Sequence, residues 1–224
     1  QKKIFDGNSK FKTSVIPTGN WRGMVMNTER APFDNPKVRK PVRLAVDRQE
    51  LVDTVMGGEA VVSCDTPVAP TDQYRHNMSC GQNIAEAKKL LKEAGYPNGI
   101  EMVIHVSTKE PTWPTIAEVI QQQVAKAGIK VEIKMTPSKS YWKETWMKKD
   151  VAMTRWNERS ADSVLHEVYH SSAKWNESYY KSSDFDKNLA DARGELDFNK
   201  RKALYQQAQH TLWEQSGTMI PYNV

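Results

Sequence analysis

The chain of 224 residues is 38% hydrophobic and 26% charged, and its 32 Lys and Arg against 27 Asp and Glu give a net charge of +5. This length and composition permit a buried core, and we expect one domain. No apolar run approaches the roughly 20 residues that cross a bilayer, which excludes a transmembrane helix from the sequence.

The positive charge is not gathered in one part of the sequence. Lys and Arg alternate with acidic residues along apparent helices, as in KKLLKEAG and ELDFNKRKALYQQ. Such mixing is typical of a solvated surface rather than of a basic face for nucleic acid. We therefore expect no nucleic-acid partner.

The chain begins with two segments of strand-like composition, followed by a helical pattern. Residues 11–18 and 21–28 are rich in β-branched and aromatic residues and flank a Gly-Asn turn pair, which predicts a β-hairpin. Asn35 precedes a proline and then apolar residues at helical spacing, which predicts an N-cap. Pro41 should kink or restart this helix, with Asp47 capping the second piece.

Two cysteines flank the next segment. Cys64 and Cys80 enclose a stretch that holds Pro67 and Pro70 and lacks the period of a helix or a strand. A disulfide closing this loop would contribute about 3 kcal/mol in the chain-entropy model and would indicate an oxidising compartment. The alternative is two unrelated thiols.

Residues 83 to 156 alternate between helical and strand patterns. The predicted helices are 83–95, 114–128 and a shorter aromatic piece at 140–149, and the predicted strands are 100–108, 129–136 and 151–156. Strands joined by helical crossovers of this length predict a parallel α/β sheet. Two further helices, at 183–195 and 199–217, and a β-like tail complete the chain.

Ligands of open α/β sheets bind beyond the carboxyl ends of the strands, which directs attention to three loops. These loops offer charged groups that can orient a solute and aromatic rings that can stack on it. The candidate ligand-binding residues are Lys109, Glu110, Trp113, Lys139, Arg155, Trp156, Asn157, Arg159 and Asp162. We expect Trp113 and Trp156 to face the cleft, and Trp142 and Trp146 to be core residues of their helix.

A metal site is the alternative suggested by VLHEVYH. His166 and His170 lie one helical turn apart with Glu167 between them, the pattern in which a metallohydrolase holds zinc. Such a site needs a third ligand and an open position for water. Glu177 and Glu195 are possible third ligands, but the sequence constrains neither.

Three segments carry a family resemblance. They are NTERAPFDNPKVRKPVRLAVDRQELV, IAEAKKLLKEAGYPNGIEMVIH and QQQVAKAGIKVEIK, in this order. The chain resembles the C-terminal lobe of the extracytoplasmic solute-binding proteins of the dipeptide, oligopeptide and nickel ABC-transporter family. The resemblance covers nearly the whole chain.

This resemblance implies a fold and a function. The fold would be α/β, a periplasmic-binding-protein-like (type II) lobe with a mainly parallel sheet flanked by helices. Residues 1–224 would form one lobe of a larger two-lobed protein whose N-terminal lobe is absent here. That protein would be a non-enzymatic periplasmic monomer without a cofactor, binding a peptide or similar small organic solute and delivering it to an ABC permease in the membrane.

The chain also departs from the family pattern in the loops. Where peptide-binding members carry an acid for the peptide's amino end, this chain has Arg159, unless Glu158 or Asp162 supplies the acid after a small shift. Where dipeptide-type members place an arginine for the carboxylate, it offers Lys109 and Glu110. Arg159 would favour a carboxylate or phosphate, so the expected solute is peptide-like or anionic, and an ordinary dipeptide is disfavoured.

Overall fold

The computed structural model describes residue 5 and residues 8–224. The strands are β1 Trp21–Met26, β2 Val61–Val62, β3 Ile100–Ser107, β4 Ile129–Thr136, β5 Val151–Trp156 and β6 Thr218–Asn223. The helices are α1 Pro36–Leu44, α2 Arg48–Met56, α3 Ile84–Glu93, α4 Trp113–Ala125, α5 Ser138–Ser140, α6 Ala161–Tyr169, α7 Ser183–Gly194 and α8 Phe198–Gln215. A π-helical turn, Tyr141–Thr145, continues α5. None of the described helices is long and apolar enough to cross a bilayer.

All six strands form one sheet in the order β2–β6–β1–β5–β3–β4. Strand β3 is parallel to β4 and β5, whereas β1 is antiparallel to both β5 and β6, and β2 is antiparallel to β6. Strands β3, β4, β5 and β6 therefore run in one direction and β1 and β2 in the other. The predicted α/β class and the parallel β3–β4 and β3–β5 pairs are confirmed.

The predicted hairpin between residues 11–18 and 21–28 is wrong. Strand β1 forms as expected, but residues 11–18 form no strand, and Val15 and Ile16 are exposed. Both edges of β1 are occupied by β5 and β6, so no edge remains for a hairpin partner. Pro17, which lacks a backbone donor, further weakens a strand there.

The helix starts follow the predicted capping residues. Asn35 accepts a hydrogen bond from the Lys37 amide at 2.9 Å, and Asn83 accepts one from the Glu86 amide at 2.9 Å. Pro41 lies inside α1, which ends at Leu44, and the chain restarts as α2 with Asp47 as its N-cap. These side chains satisfy amides that a helix start leaves without intrahelical partners.

Two hydrophobic cores lie on different parts of the molecule. The larger packs helices α1 to α4 against the sheet and includes Ile104, Trp113 and Met153. The smaller lies among α6, α7 and α8 and includes Leu165 and Phe185. The helices of the smaller core follow β5 in the sequence and come after the third of the predicted ligand loops.

The cysteine segment is held to the sheet. Cys64 and Cys80 form a disulfide across a sequence separation of 16, which confirms the predicted bridge. Asp65 is fully buried and pairs with Arg48 at 2.9 Å, and it also accepts from the Ile220 amide in β6 at 2.9 Å. The charge-assisted bonds satisfy a carboxylate that would otherwise be costly to bury.

Candidate ligand-binding surface at the strand tips

The three predicted loops meet at the carboxyl ends of β3, β4 and β5. Tyr141, in the π turn after β4, donates its hydroxyl to the carbonyl of Met153 in β5 at 2.5 Å and lies 3.2 Å from the carbonyl of His105 in β3. Its side chain is fully buried, and burial raises the pKa of the Tyr141 hydroxyl, which stays a donor. The Tyr141 side chain therefore links β3 and β5 to the turn that follows β4.

The aromatic residues lie differently from the expectation. Trp113 is fully buried and packs on Tyr141 and Trp142, with ring centroids 5.5 and 6.0 Å apart. Trp142 lies in the π turn and is 37% exposed. The ligand role of Trp113 stays a prediction, and its burial weighs against it. The core assignment of Trp142 is wrong, and this ring is available at the surface.

A second pair of rings lies at the end of β5. Trp156 is partly buried and contacts Trp175, with ring centroids 5.8 Å apart and ring planes tilted by 58°. Trp175 is 38% exposed and was not among the predicted residues. It lies beyond α6 in sequence, so only the tertiary fold brings it to the loops. Together with the exposed loop residues it forms what we call the tip surface, which consists of Lys109, Lys139, Trp142, Arg155, Asn157 and Trp175.

A row of polar side chains crosses three strands at the same end of the sheet. Arg22 of β1 is directly opposite Arg155 of β5 and, on its other side, opposite Tyr222 of β6. Glu110, in the loop after β3, pairs with Arg155, with Nε and Oε1 2.9 Å apart. Arg22 was missed by sequence reasoning, because nothing local in the sequence gives the β1–β5 register.

The third loop is anchored on both sides. Arg159 pairs with Glu167 of α6 at 3.1 Å, and its guanidinium lies 5.5 Å from the centre of the Trp156 ring. Glu158 accepts from the Gly19 amide at 2.7 Å, and its own amide donates to the Asn20 side chain at 2.7 Å. The loop that ends β5 is thus bonded to the segment that leads into β1.

Asp162 has several partners within the chain. Its carboxylate accepts from Arg193 at 2.9 Å and from the Tyr205 hydroxyl at 2.8 Å, and it lies 3.1 Å from His166. Burial alone would raise the pKa of Asp162, but the hydrogen bonds from Arg193 and Tyr205 outweigh it and the pKa is lowered. Its ligand role stays a prediction, and these bonds weigh against it.

Glu177 is a buried carboxyl group beneath the tryptophans. Its Oε1 accepts from the Thr154 hydroxyl at 2.7 Å and from the indole of Trp146. Burial raises the pKa of Glu177 to about 7, against the opposing effect of its hydrogen bonds from Thr154 and Trp146. A carboxyl group perturbed to this degree beside a set of strand ends marks a region that is not optimised for stability alone.

The zinc alternative is not supported by the arrangement of VLHEVYH. His166 and His170 stack in parallel, with centroids 5.9 Å apart, and Glu167 accepts from Ser163 as well as pairing with Arg159. Across residue 5 and residues 8–224, no group of three or more His, Cys, Asp or Glu side chains is placed to hold a metal ion. Glu177 bonds to Thr154 of β5 rather than joining the histidines.

The chain is similar to one family of known proteins along most of its length. The family model of bacterial extracellular solute-binding proteins, family 5 (middle), matches residues 1–176. The glutathione-binding protein GsiB of Pectobacterium atrosepticum is 28% identical over 226 residues, and GsiB of Salmonella choleraesuis is 30% identical over 229 residues. The alignments cover 95% and 96% of this chain but 44% of each relative, so the chain spans less than half their length.

Solved structures share the fold. The periplasmic binding protein DppA of Helicobacter pylori, in complex with the peptide STSA, gives a TM-score of 0.81 at 28% identity, covering 94% of this chain and 43% of that one. NikZ of Campylobacter jejuni, in complex with Ni(L-His), gives 0.85 at 20% identity, covering 100% and 48%. The second likeness concerns the fold alone.

Proposed function

Because the chain belongs to the bacterial extracellular solute-binding proteins of family 5, we propose that it forms the C-terminal lobe of a two-lobed protein. This protein binds a small, peptide-like, anionic solute and delivers it to an ABC permease in the membrane. It acts by binding rather than by catalysis, in the periplasm, as a monomer and without a cofactor. The observation that carries the proposal is the tip surface, which offers both exposed tryptophans and exposed cations around the ends of three strands.

The charge of the tip surface supports an anionic solute. It presents Lys109, Lys139 and Arg155. Arg22 lies directly opposite Arg155 on the neighbouring strand β1. Glu110 pairs with Arg155 and offsets one of these positive charges. Positive groups therefore exceed negative ones where the solute would lie, and steering and holding an anion are the expected consequences.

The relatives support a peptide-like solute. Two are glutathione-binding proteins, and a structure with the same fold was determined with the peptide STSA. Glutathione is a small peptide with two carboxylates and one ammonium group, so it has the net negative charge that the tip surface favours. Glutathione is accordingly the first compound to test.

Hydrogen bonds between the segment before β1 and the segment after β6 support the proposal of two lobes. The Thr18 amide donates to the Val224 carbonyl at 2.7 Å, and the Val224 amide donates to the Asn20 carbonyl at 2.8 Å. These two segments run side by side next to the loop that ends β5. Paired segments beside a cleft are suited to act as a hinge, and lobes closing about a hinge exclude water from the solute.

Calorimetry on the two-lobed protein tests this function. The titrants are glutathione, a tetrapeptide free acid, a neutral disaccharide and a nickel–histidine complex. We expect micromolar or tighter binding of an acidic peptide by the two-lobed protein and weaker binding by residues 1–224 alone, since one lobe buries only part of the solute. Binding of the disaccharide alone, or silence toward all four titrants, would contradict the proposal.

A further inference from the structure

Arg22 and Arg155 are like charges placed directly opposite each other. Opposite residues of antiparallel strands share a face, with Cβ atoms about 5 Å apart, and like charges there are destabilising. A guanidinium does not lose its proton to relieve the repulsion at physiological pH. The β1–β5 register therefore retains an unfavourable contact that has to be offset by something else.

The neighbouring residues offset only part of this charge. Glu110 pairs with Arg155 at 2.9 Å, so a single carboxylate lies beside the two guanidinium groups and bonds to only one of them. Among residues 8–224, the Arg22 guanidinium donates to the Trp21 carbonyl at 3.0 Å and to no carboxylate. Arg22 is partly buried, and this burial lowers its pKa. A half-buried cation without its own counter-ion is the expected state of a group that receives an anion from outside.

Tyr222 adds an independent sign of a missing partner. It is fully buried and directly opposite Arg22, and within the described part of the chain its hydroxyl makes no hydrogen bond of ordinary geometry, although it lies near Thr112. Burial raises the pKa of Tyr222 to about 12, so the hydroxyl keeps its proton and remains a donor. An unpartnered buried donor is costly, which argues that it has a partner in another state.

We propose that Arg22 and Arg155, with the Tyr222 hydroxyl beside them, form the site that holds a carboxylate of the solute. This inference rests on the proposed function and deepens it by naming the group that is recognised and by adding Arg22 and Tyr222 to the site. A carboxylate between the two guanidinium groups removes their repulsion and accepts charge-assisted hydrogen bonds from both. Arg22 and Arg155 together with Glu110 carry a net charge of +1. This charge matches a carboxylate better than a dianion such as a phosphate monoester.

The test uses the two-lobed protein and one alanine-terminated tetrapeptide in two forms, the free acid and its C-terminal amide. Wild-type protein should bind the free acid more tightly than the amide by about tenfold to a hundredfold, as expected for charge-assisted bonds to a buried carboxylate. Arg22→Gln should abolish this preference by weakening binding of the free acid, with the amide changed less than about threefold. Arg155→Gln should act in the same direction, and it serves as the second variant should Arg22→Gln not fold.

The matched control is Lys130→Gln, which also removes one positive charge but lies on β4, away from the tips. It should leave both affinities unchanged. Equal losses for acid and amide in Arg22→Gln, or an undiminished preference, would overturn the carboxylate site while leaving the proposed function intact. Wild-type protein that binds neither form in any of a set of di- to pentapeptides would overturn the proposed function, and this site with it.

Discussion

The two ends of the central strands are built in opposite ways. At the amino ends of β3 and β4, Gly99 and Gly128 both have φ of +84°, and a Cβ on Gly99 would lie 1.8 Å from the Gly128 carbonyl oxygen. The backbones touch there. At the other end, Arg22 faces Arg155 and Glu177 is buried. One end is arranged for close packing, whereas the other keeps charge and burial that reduce stability, which is typical of a binding site.

The largest expected effect of a substitution is at the packed end. Gly99→Ala places a methyl group against backbone that cannot yield and adds the cost of a positive φ. We expect a loss of about 4 kcal/mol in the free energy of unfolding, measured by urea denaturation. Gly95→Ala is the control, since Gly95 also has a positive φ but has open space around it, and it should lose only about 1 kcal/mol. Equal losses would show that the Gly99–Gly128 contact is unimportant.

The next effect is at the carboxyl ends of the strands and depends on pH. The pKa of Glu177 is raised from 4.5 to about 7, so between these values the folded protein holds a proton that the unfolded chain has released. Its contribution to stability is therefore greatest below pH 4.5, falls as the pH rises to about 7, and is constant above. Over that window we expect wild-type protein to lose about 3 kcal/mol relative to Glu177→Gln, which keeps the acceptor for Thr154.

Urea denaturation of both proteins from pH 4 to 8 measures this difference. Glu101→Gln, a substitution of an exposed carboxylate at the amino end of β3, should give a curve parallel to that of wild type. If the curve of Glu177→Gln is also parallel to wild type, the carboxyl group is not held neutral in the folded protein.

A smaller effect of opposite sign is expected for Arg22→Gln. Removing one of two facing guanidinium groups relieves their repulsion, so the free energy of unfolding should stay constant or rise by up to about 1 kcal/mol. Thermal denaturation at low and high salt measures the change, and the gain should shrink as salt screens the charges. A clear loss of stability would mean that Arg22 serves packing, and the contrast between the two ends would be weakened.

The smallest effect is expected at the exposed pair of the packed end. Lys130 and Glu101 lie 3.2 Å apart, with side chains 80% and 77% exposed. Water and salt screen such a pair, so Lys130→Ala should not change the melting temperature measurably. A measurable loss would show that this end depends on charge as well as on backbone packing.

Much of the fold follows from local patterns in the sequence. The helices capped by Asn35 and Asn83 and the strands from residue 100 to 156 are confirmed, because caps and hydrophobic periodicity act within a few residues. The failed hairpin shows the limit of local patterns. Strand β1 pairs with β5 and β6, which are far away in the sequence. The resemblance of three segments to a family identified the fold beyond what periodicity alone specifies.

The candidate site was less accessible to sequence reasoning. Strand order placed the three loops at one end, but the direction of each side chain depends on the turn that carries it. Trp142, in the π turn, is exposed, whereas Trp113, which it contacts, is buried. Arg22 and Trp175 come from outside the three loops, and only tertiary contacts bring them there.

The bonds of Glu158 couple the loop after β5 mechanically to the segment that leads into β1. Its carboxylate and amide hold the Gly19–Asn20 segment, and a Cβ on Gly19 would lie 2.5 Å from the Glu158 Cγ, so the two chains are in direct contact. Under the proposed function, a solute that displaced this loop would also displace the hydrogen-bonded crossing beside Val224. The displacement would pass through backbone contacts and would leave both hydrophobic cores as they are.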